Sequence, residues 1–276
     1  MKIQVSFWTL CILIFPCLNF EAQSVSTPEL LRIPYYSLTF HDERNFFLYL
    51  PEGFHSGDPD QKWPVILFLH GNGERGNGRE DLDWVLKEGP LYEAWIQKRN
   101  LPFIIISPQL PMYGMDTMEA YIHDRDPKTI PHRLLDGVPD RPTKFATPDS
   151  MNAAPSSMDI PCVLLPRGWE LEEDNLVEIV NKVIKDYHGD KDRLYLTGLS
   201  YGGFGTWYMA SRHPEMWAAI APIVAWGHPD LMKPIAEHHL PVWAFAGGRD
   251  TGEPPKYFYP GLNLLESLGD KEVQFT

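Results

Sequence analysis

The chain has 276 residues, of which 43% are hydrophobic and 22% charged, a composition typical of one globular domain with a substantial core. Its formal net charge is −13, and the sequence contains no block of basic residues. This charge argues against nucleic acid and against an anionic membrane surface as binding partners.

The N-terminus has the pattern of a secretory leader. The second residue is a lysine, and residues 3–20 are mostly apolar. We predict a signal peptide over residues 1–22, cleaved after Ala22, and therefore an exported protein, periplasmic or extracellular, with no stable membrane insertion after cleavage. The apolar stretch is marginal in length for a membrane span and contains Pro16, so an uncleaved anchor is the alternative. Cleavage leaves Cys162 as the single cysteine, which excludes an internal disulfide.

Strand and helix patterns alternate along the rest of the chain. Apolar residues on either side of a polar turn at residues 41–44 predict an N-terminal antiparallel hairpin. Further patterns predict strands at 65–69, 103–106, 193–197, 218–224, 242–246 and 272–276, and helices at 91–99, at 172–187 and from 204 onward. This alternation predicts an α/β fold over residues 27–276, with a mostly parallel central sheet and helices on both faces.

The interval from Leu110 to Gly168 does not fit this alternation. It holds nine prolines and no sustained periodicity, and a structureless loop of such length is unusual within a compact domain. It follows a predicted parallel strand and should emerge at the carboxyl edge of the sheet. We interpret residues 110–168 as a proline-rich insertion or lid, with a surface decoration remote from any site as the alternative.

A G-x-S-x-G sequence, Gly198-Leu199-Ser200-Tyr201-Gly202, lies between a predicted strand and a predicted helix. This layout is that of a nucleophile elbow, in which a strand turns sharply into a helix and presents the serine hydroxyl. Small glycines beside the serine let the strand and the helix pass closely. We predict Ser200 as the nucleophile and the Tyr201 N–H, at a helix N-terminus, as one oxyanion donor.

A glycine-rich turn, residues 70–76, follows the 65–69 strand directly and has the character of the H-G-type oxyanion motif of esterases. We predict the backbone N–H of Asn72 as the second oxyanion donor, with that of Gly71 as the alternative. His70 comes too early for the chain order serine, acid, histidine, so we expect it to be structural and not the catalytic base. His70 and Trp169, at the far end of the insertion, are candidate lining residues of the substrate pocket.

The same turn also matches G-x-G-x-x-G, through its glycines at 71, 73 and 76, so a dinucleotide site is a competing interpretation. The required context is missing, because the next strand ends in Ser107-Pro108-Gln109 where an acidic ribose-binding residue is needed, and no Gly-Lys-Ser/Thr occurs. Metal binding is also not indicated, since the sequence has no H-E-x-x-H motif and no cysteine pair. We therefore expect no metal and no cofactor.

The apolar run at 242–246 leads through two glycines to Asp250. A hydrolase sheet presents the acid of its triad at such a position, so Asp250 is the predicted acid. Asp230, after the preceding strand, is the alternative acid. In the non-catalytic interpretation, Asp250 only caps the turn that follows it. No histidine follows Asp250 in the sequence, and of the earlier histidines only His228 follows a strand at the correct edge.

Together these motifs resemble the α/β-hydrolase superfamily, and within it the secreted esterase or "predicted peptidase" group related to polyhydroxybutyrate-depolymerase-like and feruloyl-esterase-like enzymes. The resemblance is carried by residues 69–76, 107–109, 192–203, 213–214, 221–223 and 241–250. It implies hydrolysis of carboxylic esters through an acyl-serine intermediate, without metal or organic cofactor. The chain departs from the group in its long insertion and in its histidine, which the resemblance would place on a loop after the last strand, beyond Thr276.

Three functions stay open at this point. A secreted carboxylesterase acting on a small or polymer-borne ester is the leading hypothesis, and a serine peptidase of the same fold is the second. The third is a catalytically inactive hydrolase-fold protein that binds ligands or partners, because no histidine follows Asp250 in the sequence.

Overall fold

The structure, a computed structural model, describes residues 26–141 and 168–276, except residues 57, 59 and 251. The predicted signal peptide over residues 1–22 lies outside the described residues, as does the 142–167 part of the predicted insertion. Within the described ranges, no helix has the length and apolar character needed to cross a membrane.

Eight strands form one sheet. They are β1 (Glu29–Ser37), β2 (Asp42–Leu50), β3 (Trp63–Leu69), β4 (Ile104–Ser107), β5 (Gly189–Leu199), β6 (Ala219–Ile223), β7 (Val242–Ala244) and β8 (Val273–Phe275). Across the sheet their order is β1-β2-β4-β3-β5-β6-β7-β8. β2 pairs antiparallel with both β1 and β4, and every other pair is parallel. The predicted mostly parallel sheet with an N-terminal antiparallel hairpin is confirmed.

Helices lie on both faces of the sheet, as predicted. They are α1 (Gly89–Leu91), α2 (Met115–Met118), α3 (Ala120–His123), α4 (Glu173–Asp186), α5 (Tyr201–Arg212), α6 (Met232–Glu237) and α7 (Tyr259–Ser267). Alternate residues of a strand point to opposite faces. Phe46 and Leu48 of β2 therefore join the larger core with α4 to α7, whereas Phe47 and Tyr49 join the smaller core with residues 82–96.

The best-formed amphipathic helix is α4. Leu176, Ile179, Val180 and Val183 recur at three- and four-residue spacing and are buried in the larger core. Fully burying each such side chain stabilises the fold by roughly 1.5–3 kcal/mol. Acidic residues in the first turn and Lys185 in the last complement the helix dipole.

The predicted helix over residues 91–99 is shorter than expected. α1 continues into one π-helical turn, Tyr92–Ile96, and the Gln97 N–H donates to the Tyr92 carbonyl at 2.9 Å. Lys98 then adopts a left-handed conformation with φ 53°, which ends a helix. The apolar spacing of this segment carries no sign of that backbone reversal.

The carboxyl ends of the parallel strands meet at one edge of the sheet. β3 leads into the 70–76 turn, β5 into Ser200, and β7 into the loop that contains Asp250. The fold therefore brings the predicted nucleophile, oxyanion turn and acid to the same edge, which is where ligands bind in open α/β sheets.

Candidate active site

Ser200 lies on a sharp turn between β5 and α5. Its backbone has φ 53° and ψ −115°, a conformation that costs a non-glycine residue roughly 1–3 kcal/mol and is found mainly at functional sites. The Ser200 N–H donates to the Ile223 carbonyl at 2.9 Å, and the Phe204 N–H donates to the Ser200 carbonyl at 3.1 Å. The end of β6 and the first turn of α5 thus hold the strained residue in place at the carboxyl edge.

Glycine at position 202 is required by the close approach of α5 to β3. A Cβ atom at Gly202 would overlap the carbonyl oxygen of Leu69. Because that oxygen is a backbone atom in the sheet, it cannot move aside as a flexible side chain would. The second glycine of the G-x-S-x-G sequence therefore allows the helix that carries the serine to begin against the neighbouring strand.

The turn after β3 lies beside the nucleophile. A Cβ atom built on Gly71 would be 3.8 Å from the Ser200 Cβ. Asn72 begins a single 3₁₀ turn, Asn72–Glu74, and Tyr201 begins α5. Among the described residues, no acceptor takes the backbone N–H of either Asn72 or Tyr201. Unpaired N–H groups at helix starts beside a nucleophile are the donors that an oxyanion hole requires.

The side chain of Glu74 lies beside Gly71, the alternative donor. Glu74 is buried, and its Oε2 is 3.2 Å from a Cβ atom built on Gly71. Burial and, to a smaller extent, the nearby charge of Glu88 raise the pKa of Glu74 to about 7 against the opposing charge of Lys87. Among the described residues, no acceptor takes the Gly71 N–H, so Asn72 and Gly71 both stay candidates for the second donor.

His70 is a buried, neutral side chain. The Leu110 N–H donates to its Nε2 at 2.8 Å, so Nδ1 carries the proton and donates to the Gly71 carbonyl at 2.7 Å. Burial lowers the pKa of His70 to about 3. With both ring nitrogens occupied, His70 braces the oxyanion turn against the start of the insertion.

Trp169 lies directly against His70. Its indole N–H donates to the His70 carbonyl at 3.2 Å, and the two rings meet edge to face with centroids 5.1 Å apart. Each side chain is 2% exposed or less. Both predicted pocket residues thus lie behind the oxyanion turn, inside the core, and neither presents an open surface.

The first part of the insertion packs on the oxyanion turn. The Asn72 side-chain amide donates to the Tyr121 hydroxyl, and the Arg75 Nε donates to the Asn72 Oδ1 at 2.5 Å. Arg125 Nη1 donates to the carbonyls of Gly73 at 3.0 Å and Arg75 at 2.6 Å. α3 and the segment after it therefore fix both the side chain and the backbone of the turn.

Arg75 links the turn to the elbow. Its side chain is fully buried, and its guanidinium lies over the Tyr201 ring, 5.0 Å from the centroid. Such a contact between a cation and an aromatic ring stabilises by roughly 0.5–2 kcal/mol. The residue that follows the nucleophile is thus held against the turn that carries the second donor.

Asp250 lies in the loop after β7. Its Oδ1 accepts hydrogen bonds from the backbone N–H groups of Gly252 at 2.8 Å and Glu253 at 2.9 Å. Burial and, to a smaller extent, the charge of Asp250 raise the pKa of the neighbouring Glu253 to about 6. The loop fixes Asp250 but leaves its second carboxylate oxygen without a hydrogen-bond partner among the described residues.

The alternative acid and base lie together after β6. The Asp230 side chain is 88% exposed, and its Oδ2 is 3.4 Å from the His228 Nδ1. His228 Nδ1 also accepts from the Asp230 N–H at 3.2 Å. In the described part of the chain, no hydrogen bond or ion pair joins a histidine to Ser200 or Asp250. Those residues also contain no cluster of three or more histidine, cysteine, aspartate or glutamate side chains arranged to hold a metal ion.

Sequence reasoning left Glu74, Tyr121 and Arg125 without a role. Glu74 stands three positions after Gly71, the spacing at which a glutamate reaches back to the N-cap of a helical turn, so that signal was present. Tyr121 and Arg125 had no comparable signal. They reach the oxyanion turn from about 50 residues away along the chain, and no local periodicity records such a contact.

Solved structures share this architecture. A thermostable esterase superimposes with a TM-score of 0.54 at 24% identity, over 90% of this chain and 54% of that one. S-formylglutathione hydrolase (FrmB) from Staphylococcus aureus superimposes with a TM-score of 0.55 at 13% identity, over 91% of this chain and 88% of that one. The chain has the α/β-hydrolase fold. A ferulic acid esterase gives a TM-score of 0.52 at 15% identity, over 91% and 90%.

Comparisons of sequence alone cover less of the chain. The model of the prolyl oligopeptidase family matches residues 170–258, which include the elbow and Asp250. No curated protein sequence matches the chain significantly. The chain spans about half the length of the thermostable esterase and nearly the full length of the other two solved relatives.

Proposed function

We propose that this protein is a serine hydrolase that cleaves carboxylic esters through an acyl-serine intermediate. The observation that carries the proposal is Ser200 itself, strained at φ 53° on the turn between β5 and α5, with the unpaired N–H groups of Tyr201 and Asn72 beside it. Backbone strain of this kind is retained when the surrounding structure uses it to present a side chain. Solved relatives named as esterases have the same fold.

The chemistry follows from this placement. The Ser200 hydroxyl attacks the ester carbonyl, and negative charge develops on the carbonyl oxygen. The N–H groups of Tyr201 and Asn72 then donate to that oxygen, and removing one such donor typically costs about 10²–10³ in turnover. The alcohol leaves, and water releases the acid from the serine by the same steps in reverse order.

A base must accept the serine proton, and we place it on a segment that follows Thr276. The Thr276 N–H donates to the Ala244 carbonyl at 3.0 Å, and the Ala246 N–H donates to the Thr276 carbonyl at 2.9 Å. A residue after β8 thus leaves the sheet at the edge where Asp250 lies. A histidine there would be oriented by the free carboxylate oxygen of Asp250. Sequencing the coding DNA beyond the Thr276 codon tests this placement, and an immediate stop codon would contradict it.

The esterase proposal is tested with p-nitrophenyl esters of short acids, using protein expressed from the complete reading frame. Wild-type protein should turn these esters over, and Ser200→Ala should lose at least about 10³-fold in kcat while keeping its far-UV circular dichroism. Ser267→Ala, at the exposed end of α7, is the matched control and should keep full activity. Equal rates for wild-type and Ser200→Ala would refute the assignment.

A serine peptidase is the second candidate, because the family model that matches residues 170–258 is that of the prolyl oligopeptidase family. The same triad serves amides and esters. Parallel assays with peptide anilides separate the two, since a peptidase would cleave both substrates and an esterase only the esters. Absence of turnover on both, with intact folding, would favour the inactive ligand-binding alternative.

We also propose that the protein is exported and acts on small or polymer-borne esters, such as those of plant cell walls or polyesters. The leader-like pattern of residues 1–22 supports the first point, and the solved relatives named as ferulic acid esterases support the second. Mass spectrometry of protein from the producing cells should give an N-terminus at Gln23. Recovery of the uncleaved chain from the cytoplasm would contradict export.

A further inference from the structure

The oxyanion turn is held at its carbonyl end by a side chain from the insertion. The carbonyl groups at the end of a helical turn have no partner within the turn. Arg125 Nη1 donates to two of these groups, those of Gly73 at 3.0 Å and Arg75 at 2.6 Å. The carbonyl between them accepts from Gln109 Nε2 at 2.8 Å. Three consecutive carbonyls are therefore fixed from outside the turn, two of them by one guanidinium group.

The opposite end of the turn presents N–H groups. It lies beside Ser200, and among the described residues no acceptor takes the backbone N–H of Asn72. The next residue is Gly73, and glycine restricts the backbone least of all residues. A Cβ atom at Gly73 would meet nothing within 4 Å, so packing does not hold the chain there. The bonds from Arg125 thus restrict the backbone at the point where it is freest to move.

Arg125 is itself held in one orientation. Its side chain is 12% exposed, and its guanidinium lies over the Trp84 ring, 4.3 Å from the centroid. Trp84 is buried and belongs to the 3₁₀ helix Leu82–Leu86. An arginine that stacks on an aromatic ring keeps its planar set of N–H donors in a fixed direction. The turn is therefore braced against a buried ring.

We propose that Arg125 is a positioning residue of the oxyanion hole: by holding the carbonyls of Gly73 and Arg75, it keeps the N–H groups at the start of the turn directed toward a carbonyl at Ser200. The inference rests on the proposed function. Arg125 acts on the reaction through the backbone of the turn. Because an oxyanion donor acts most strongly in the transition state, loss of Arg125 should lower kcat and leave KM unchanged.

The same insertion supplies a matched control. Arg133 Nη1 donates to the Trp95 carbonyl at 2.5 Å, and its guanidinium lies over the Trp95 ring, 4.1 Å from the centroid. Arg133 thus makes the same two kinds of contact as Arg125, but to a segment before β4 and not to the oxyanion turn. Replacing either arginine with methionine removes a cation–π contact and hydrogen bonds to carbonyls, so the two variants should lose similar amounts in Tm.

Steady-state kinetics on a p-nitrophenyl ester give the first readout. For Arg125→Met, kcat should fall between about 10-fold and 100-fold with KM unchanged. Complete removal of a donor typically costs about 10²–10³, and here the donor is displaced and not removed. Arg133→Met should keep the wild-type kcat. Equal kcat values for folded Arg125→Met and Arg133→Met would overturn the proposal.

The second readout follows the Asn72 amide by NMR and needs no turnover. The sequence contains two Gly-Asn pairs, Gly71-Asn72 and Gly76-Asn77, so labelling glycine carbonyls with ¹³C and asparagine nitrogens with ¹⁵N gives two cross-peaks in an HNCO spectrum. In Arg125→Met the Asn72 peak should move from its wild-type position, and in Arg133→Met it should not. An Asn72 peak at the same position in all three proteins would also overturn the proposal.

Arg125→Lys covers the case in which Arg125→Met does not fold. Lysine keeps a cation with N–H donors but lacks the planar group that stacks on Trp84. Its kcat should fall by about threefold to tenfold with KM unchanged, and the Asn72 peak should move. Either an unchanged kcat or an unmoved peak would contradict the proposal. A folded wild-type protein without esterase activity would refute the proposed function instead, and the Asn72 peak alone would then decide this inference.

Discussion

Replacing Glu74 with glutamine should make the stability of the variant rise relative to that of the wild-type protein as the pH rises. Burial raises the pKa of Glu74 from 4.5 to about 7 in the folded protein. Between these values the folded state keeps a proton that the unfolded state has released, so wild-type stability falls as the pH rises through this window. Glutamine keeps the shape and an acceptor oxygen but has no proton to lose, so the variant does not show this fall.

The magnitude follows from the two pKa values. They differ by between two and three pH units, and each unit corresponds to about 1.4 kcal/mol, so the full effect is about 3 kcal/mol. The advantage of Glu74→Gln over wild-type should therefore grow by about 3 kcal/mol between pH 4 and pH 8.5. A pH-independent offset from the altered contacts of the side chain does not affect this growth.

Urea unfolding at four or five pH values measures this difference directly. Glu266→Gln, on the exposed side of α7, is the control for loss of one surface charge, and its difference from wild-type should stay within about 0.5 kcal/mol. A pH-independent difference between wild-type and Glu74→Gln would refute the reasoning, because it would mean that Glu74 ionises in the folded protein as easily as in the unfolded chain.

Two further substitutions test the elbow and the insertion. Gly202→Ala should destabilise the fold by about 3 kcal/mol or more in thermal unfolding, because the added Cβ meets a backbone carbonyl of β3, whereas Gly73→Ala meets nothing within 4 Å and should cost less than about 1 kcal/mol. Tyr121→Phe removes the hydroxyl that Asn72 binds and should lower kcat/KM by less than about tenfold with a stability loss of about 1 kcal/mol. Tyr36→Phe, an exposed tyrosine of β1, should leave activity unchanged.

The elements that the sequence predicts well are those whose signal is local. β3 and α4 are marked by apolar residues at a single spacing, and the elbow at Ser200 by glycines at fixed positions. In each case the residues that carry the pattern are the residues in contact in the structure. The sheet order does not follow from chain order alone, because β4 lies between β2 and β3.

Features that depend on distant contacts could not be obtained in this way. The burial of Glu74 results from the turn folding back between the sheet and the insertion, and a glutamate between glycines otherwise looks like a solvent-exposed turn residue. Trp169 was expected at a pocket because it ends the insertion, but its indole bonds to the His70 carbonyl inside the core. His70 and Trp169 are 99 positions apart along the chain, so no local pattern records their contact. The composition of the turn likewise gives no sign that Glu74 is buried.

The most direct test of the central claim is covalent labelling of the nucleophile. Protein from the complete reading frame is treated with a fluorophosphonate at neutral pH, digested and analysed by mass spectrometry. The account predicts one stoichiometric adduct on the peptide that contains Ser200, at a rate that Ser200→Ala abolishes and Ser267→Ala does not change. An adduct on another serine, or no adduct on folded protein, would contradict the assignment of Ser200 as the nucleophile.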